Sequence, residues 1–378
     1  MPRCPFDIQE LVDHCISFLA DSDSVSDFLS CSLVARSWVH AAQSHLFRNI
    51  CYDRHLVAGG RKAASAQWWM KLHDTLRASP HILRHVRGLT LDTLGTPNEN
   101  LKHVFNICVL PFTHLDDVTI SVPRLDLVSL QKLISRRTLR RLKLKINIDD
   151  WSVFGAIWES CSPSLRHIDL SGCLFLFDQP AHSIPRRAET IQLHSLRLWF
   201  WGCYLHPEDV YPWALYPFDL THLKALSISN DLGYPWNDGP PETIQFLDID
   251  FKADGTKIEI SSFPNLSVFR ITIDASTLPI VFETLSAILP SHRIRMIIIS
   301  PGIYYELDKM DCAQLDSALA NLPLPHPITV EVEVNSFWNC RSEFFPQLTS
   351  RNMLRFVERS NPDPTMVDGW WRNLVDTL

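Results

Sequence analysis

Nine copies of one short phrase limit what this chain can become. The phrase is apolar-x-x-apolar-x-apolar. It reads Val86/Leu89/Leu91, Leu115/Val118/Ile120, Leu139/Leu142/Leu144, Leu165/Ile168/Leu170 and Leu193/Leu196/Leu198. It continues as Leu223/Leu226/Ile228, Ile244/Leu247/Ile249, Leu266/Phe269/Ile271 and Ile294/Ile297/Ile299. The starts are separated by 29, 24, 26, 28, 30, 21, 22 and 28 residues. Alternation inside each phrase marks a short strand with one buried face. A period of roughly twenty to thirty residues marks a stacked array, each unit burying its apolar face on the next. Between phrases, residues 98–110, 125–135, 149–161 and 277–289 carry helical periodicity. Strand and helix alternating in units this short predict an α/β solenoid with parallel strands. An irregular α/β domain with the same strands in another order is the alternative.

The phrase resembles the leucine-rich repeat, L-x-x-L-x-L-x-x-N/C. Asn147 and Cys173 supply the last residue in two units, and the other seven differ. That departure predicts irregular turns and an uneven coil. Three stretches interrupt the array: 178–190, 204–219 and 230–242. The last two are dense in proline and aromatics, including Trp213 and Trp236. They form either an aromatic recognition surface or a cover over the outer side of the sheet. Residues 328–334 alternate strictly and read as a further strand. Residues 342–360 read as mixed helix broken near Pro346, and the remaining tail as a cap on the last repeat.

Little in the chain points to catalysis. There is no G-x-S-x-G, P-loop, G-x-G-x-x-G or H-E-x-x-H, and 12 glycines leave no phosphate cradle. His81 and His85 stand four apart, but Pro80 precedes them and no third ligand is near, so packing or surface is the expected role. Asp248 and Asp250 alternate on one strand face, where solvated acids are the ordinary case. The 10 cysteines include no C-x-x-C, which predicts reduced, mostly buried thiols in a cytoplasmic or nuclear protein. Net charge is -7, so no global basic field recruits nucleic acid. No secretory signal is visible, and apolar runs such as residues 296–299 are too short to span a bilayer. No metal, cofactor or membrane partner is expected.

The first fifty residues carry a different pattern. Ile8, Leu11, Val12, Cys15, Ile16 and Leu19 form one helical stripe. A polar break with cap residues at 21–24 precedes a second helix, and Ser37 is placed to cap a third that carries Trp38. Pro5, that first helix, the block Cys31-Ser32-Leu33-Val34-Ala35-Arg36-Ser37-Trp38 and the closing Leu46-Phe47 resemble an F-box, most closely those of the large families in mushroom-forming fungi. Cys4 departs from the pattern, standing where the family has an apolar residue.

The resemblance implies a non-catalytic subunit. F-box modules bind the Skp adaptor and through it a cullin, while the following segment holds a protein substrate. The chain would then be a substrate-recognition subunit of a Skp–cullin–F-box ubiquitin ligase, acting by proximity. A binding scaffold without ligase output is the second reading. The adaptor-facing residues carried over are Pro5, Ile8, Leu11, Ile16, Leu33, Val34 and Trp38. Some of these must instead form the module's own core, and the sequence does not divide the two sets. The expected layout is an F-box at 1–50, a helical linker at 51–82, the array at 83–340 and a cap and tail at 341–378. On the strands, Arg141, Lys143, Lys145, Arg197 and Trp199 occupy outward positions. They are the candidate patch for an acidic or phosphorylated substrate segment, against the alternative of an ordinary solvated strand face.

Overall fold

The computed structural model describes residues 9–20, 25–52, 62–92, 98–122, 126–146, 151–173, 190–201, 218–229, 241–252, 257–273, 275–301, 308–334 and 341–358. The chain divides into two compact units, Met1–Leu165 and Arg166–Leu378.

The first unit opens with three helices, α1 (Gln9–Ala20), α2 (Val25–Val34) and α3 (Arg36–Leu46). Helix α3 packs on both others. It ends at Phe47, whose N–H reaches Gln43 O at 3.0 Å. The chain passes directly into β1 (Asn49–Tyr52), then α4 (Lys62–Ala78), the short α5 (Pro80–Leu83) and β2 (Gly88–Asp92). It continues as α6 (Asn98–Cys108), β3 (Asp117–Val122), α7 (Leu127–Ile134), β4 (Arg141–Ile146) and α8 (Trp151–Ser160). The four strands pair in parallel and in chain order, with Asn49 opposite Gly88, Gly88 opposite Asp117, and Asp117 opposite Arg141. Each phrase buries its apolar positions: Leu89, Leu91, Val118, Ile120, Leu142 and Leu144 are all in the core.

The strand Asn49–Tyr52 thus spans the junction at residue 50 between the expected F-box and the expected helical linker. Phe47-x-x-Ile50-x-Tyr52 is a tenth copy of the phrase, with Tyr52 in place of an aliphatic residue.

The second unit holds β5 (His167–Cys173), a short β6 (Ile191–Gln192), β7 (Ser195–Trp201), a short β8 (Phe218–Asp219), β9 (Ala225–Ser229), β10 (Phe246–Asp250), β11 (Val268–Ile273) and β12 (Met296–Pro301). After β12 come β13 (Thr329–Val334) and β14 (Leu354–Glu358). All pairs are parallel, β5–β7–β9–β10–β11–β12–β13–β14 in one sheet and β6–β8 in a second. Helices α9 (Leu278–Ser286), α10 (Lys309–Ala320) and α11 (Pro346–Ser350) lie between later strands. Strand β14 corrects the helical expectation for 342–360, where among the described residues only 346–350 and the 3-10 turn Ser342–Phe344 are helical. Leu354 and Phe356 meet the strand Thr329–Val334, and this cross-strand pairing outweighs local propensity. The interruptions at 178–189, 204–217 and 230–240, Asn147, and the tail from 359 lie outside the described residues.

A repeated backbone device sets the register. In most phrases the second residue offers its carbonyl to two N–H groups of the next. Arg48 O accepts from Arg87 N at 2.7 Å and Gly88 N at 2.9 Å; Asp116 O accepts from Arg140 N and Arg141 N, both at 2.9 Å. In the second unit Arg166, His194, Lys224, Gln245 and Ser267 play the same part. Side chains just before the phrase add to it: Thr138 Oγ1 donates to Leu115 O at 2.6 Å, Thr243 Oγ1 to Leu223 O at 2.7 Å, and Asn265 Nδ2 to Glu242 O at 2.8 Å. The turns ahead of the strands are thus regular; the segments after the strands, where the missing asparagines predict irregularity, lie largely outside the described residues.

Candidate docking surface and strand face

The three N-terminal helices divide the carried-over residues into two sets. Val12, Ile16, Phe28, Ala41 and Ala42 form a small core, with Cys31, Trp38 and Leu46 packed against it. Phe28 stacks on His45, ring centroids 5.4 Å apart. Ile16 is fully buried and Trp38 is half-buried, so both hold the module together. Leu11, Leu33 and Val34 stay outside, at 47%, 86% and 66% exposure. Pro5 and Ile8 lie outside the described residues. Leu29, 53% exposed, joins the outer set and was missed by the motif. Its signal is the four-residue spacing to Leu33, which puts both on one face of α2. Four exposed large aliphatic side chains on two short helices are not what a self-contained bundle presents.

The strand-face candidates fall in both units. Arg141, Lys143 and Lys145 alternate along β4, each half-buried, opposite Asp117, Thr119 and Ser121 on β3. In the second unit Arg197 is only 3% exposed. Its Nη1 faces Asp169 Oδ2 at 3.5 Å, and its Cζ lies 5.0 Å from the centre of the Trp199 ring. Beside this pair, His167 Nδ1 and Ser195 Oγ are 3.0 Å apart. Arg197 is thus bound within the face and is not offered outward as an open cation.

The middle of the second unit carries a polar cluster that departs from the solvated acids expected at Asp248 and Asp250. Asp248 is buried. It accepts from Arg270 Nη1 at 3.0 Å and from Ser227 Oγ at 2.8 Å. The other end of Arg270 donates Nη2 to Glu333 Oε2 and to Ser300 Oγ, each at 2.9 Å. Burial works against the charged guanidinium, but Asp248 and Glu333 more than offset it, and its pKa is raised above the usual arginine value. The fold explains the departure. Strands β9, β10 and β12 are buried on both faces, so an acid there must find a cation.

His85, one of the two spaced histidines, is buried and meets His40 of α3 edge to face at 4.8 Å. Arg84 Nε donates to its Nε2 at 3.4 Å. This is a packing contact between the helical module and the array of the first unit. Among the described residues, no group of three or more His, Cys, Asp or Glu is placed to hold a metal ion, and no helix is long and apolar enough to cross a membrane. A cavity of about 290 Å³ lies between the end of α10, the segment leading into β13 and the segment leading into β14, lined by Leu319, Leu322, Pro325, Ile328, Arg351 and Met353. Arg351 Nη1 is already engaged there by Ala320 O.

No protein family and no curated protein matches the chain. Among solved structures it is similar to the leucine-rich repeat-containing protein LegL7 from Legionella pneumophila, at 8% identity and a TM-score of 0.40, over 78% of this chain and 91% of that chain.

Proposed function

We propose that this chain is a substrate-recognition subunit of a Skp–cullin–F-box ubiquitin ligase. The N-terminal helices would engage the Skp adaptor, and the parallel-strand array would hold a protein target. One observation carries the reading: Leu11, Leu29, Leu33 and Val34 are exposed on the segment whose sequence resembles an F-box, while Val12, Ile16 and Phe28 fill its core. Covering a large aliphatic side chain is worth about 1.5–3 kcal/mol, so four of them make a strong anchor for an apolar partner. The contribution to ubiquitin transfer is proximity, which needs no catalytic group in this chain. A cytoplasmic or nuclear location follows from the same reading.

Co-expression with a fungal Skp adaptor, followed by size-exclusion chromatography, tests it. A one-to-one complex is expected for the wild type and its loss for Leu33→Asp/Val34→Asp, both outside the core. A folded wild-type chain that elutes alone would refute the ligase reading. The array would then be read as a scaffold without ligase output, the second reading. Ubiquitination of a captured partner separates the two when the complex does form.

A further inference from the structure

We propose that the edge of the first unit that precedes its strands is a docking ridge for an acidic segment of a partner protein. The carbonyl ladder stacks Arg48, Arg87, Asp116 and Arg140 as equivalent positions of four successive turns. Neighbouring parallel strands stand about 4.8 Å apart, so this column runs ~15 Å. Three residues before each member lies a second column, His45, Arg84, Thr113 and Arg137. All five arginines of the two columns are exposed. Asp116, half-buried, is the sole carboxylate among the eight positions. Among the described residues, the side chains of Arg48, Arg137 and Arg140 make no hydrogen bond or ion pair.

The chemistry of the ridge selects its occupant. A planar guanidinium binds a carboxylate or phosphate through two parallel hydrogen bonds, which a lysine cannot do. An extended peptide rises about 3.3 Å per residue, so roughly five residues cover the column. The whole chain carries a net charge of -7. A long polyanion such as RNA would meet that field, whereas a short acidic segment senses charges within about 8 Å at physiological salt. The proposal rests on the reading of the array as a protein-capturing surface and names the class of segment it takes.

The test is fluorescence anisotropy of a labelled deca-glutamate peptide with the full chain at low and high salt. The wild type is expected to bind, and more weakly as salt rises. Arg48→Gln/Arg137→Gln/Arg140→Gln is expected to lose at least about tenfold in affinity, since several charge-assisted contacts go at once. Lys257→Gln/Arg293→Gln/Lys309→Gln removes the same charge from exposed sites of the second unit and is expected to bind as the wild type. The proposal is overturned by a wild type that ignores the peptide, by equal losses in the two variants, or by an unaffected ridge variant. Tighter binding of an oligouridine RNA through the same arginines also overturns it. Adaptor binding measured on the same preparation keeps the two readings apart. A chain that pairs with the adaptor but ignores the peptide fails here only.

Discussion

Arg270 and Glu333 meet across an intervening strand. The guanidinium on β11 reaches over β12 to the carboxylate on β13, Nη2 to Oε2 at 2.9 Å, and the two residues are 63 apart in the chain. With its other nitrogen on Asp248, Arg270 ties β10, β11 and β13 together, itself buried along with Asp248.

Removing this arginine leaves the buried Asp248 and the half-buried Glu333 without their shared cation. Arg270→Met is expected to destabilise the fold by about 3–5 kcal/mol, the range for breaking a buried ion pair from one side. Urea unfolding followed by circular dichroism measures it. Adding Asp248→Asn and Glu333→Gln to the same variant should recover much of the loss. A single variant as stable as the wild type would show that the cluster does not hold the strands.

Arg136 plays a different part in the first unit. Its Nη1 donates to Phe112 O at 2.8 Å, and its Nη2 reaches Leu110 O and, at 3.4 Å, Cys108 O. These carbonyls sit at and just after the end of α6, where the helix leaves acceptors unsatisfied. Arg136→Ala is expected to cost about 1.5–3 kcal/mol, and Arg136→Lys to recover only part, because an ammonium lacks the planar fork. Thermal unfolding of the three proteins under one buffer decides the order.

Ile16 and Leu33 are expected to behave oppositely. Ile16→Ala opens the small core and should cost about 2–5 kcal/mol. Leu33→Ala, at 86% exposure, should stay within about 0.5 kcal/mol for folding while weakening adaptor binding. Equal effects of the two substitutions on stability would contradict the division of the helices into core and outer set.

His85 predicts an acid-side loss of stability. Its pKa is lowered, first by burial and then by His40, Arg84 and His81, so the folded chain holds the neutral ring. A depressed folded pKa contributes stability above the unfolded value of 6.5 that is lost as pH falls below it. His85→Asn should flatten that part of the stability–pH profile measured by urea unfolding. An unchanged slope would place the acid sensitivity elsewhere.

The apolar pattern by itself determined the array. Every one of the nine phrases forms a strand, because alternation at that spacing leaves each unit one apolar face and only a parallel neighbour to bury it on. Among the strands it hid, Asn49–Tyr52 and Leu354–Glu358 stand at the ends, where Tyr52 breaks the pattern and where residues 342–360 carry helical local preference. The stripe on the first helix was equally legible, but its division was not. Ile16 and Leu11 look alike in sequence, and only the packing of α3 against α1 and α2 decides that one is core and the other is exposed. The strand face shows the same limit. Arg141 and Arg270 occupy outward positions of two different phrases. Tertiary structure leaves Arg141 half-buried and encloses Arg270 between two acids, since burial depends on what lies across the sheet and not on the residue itself.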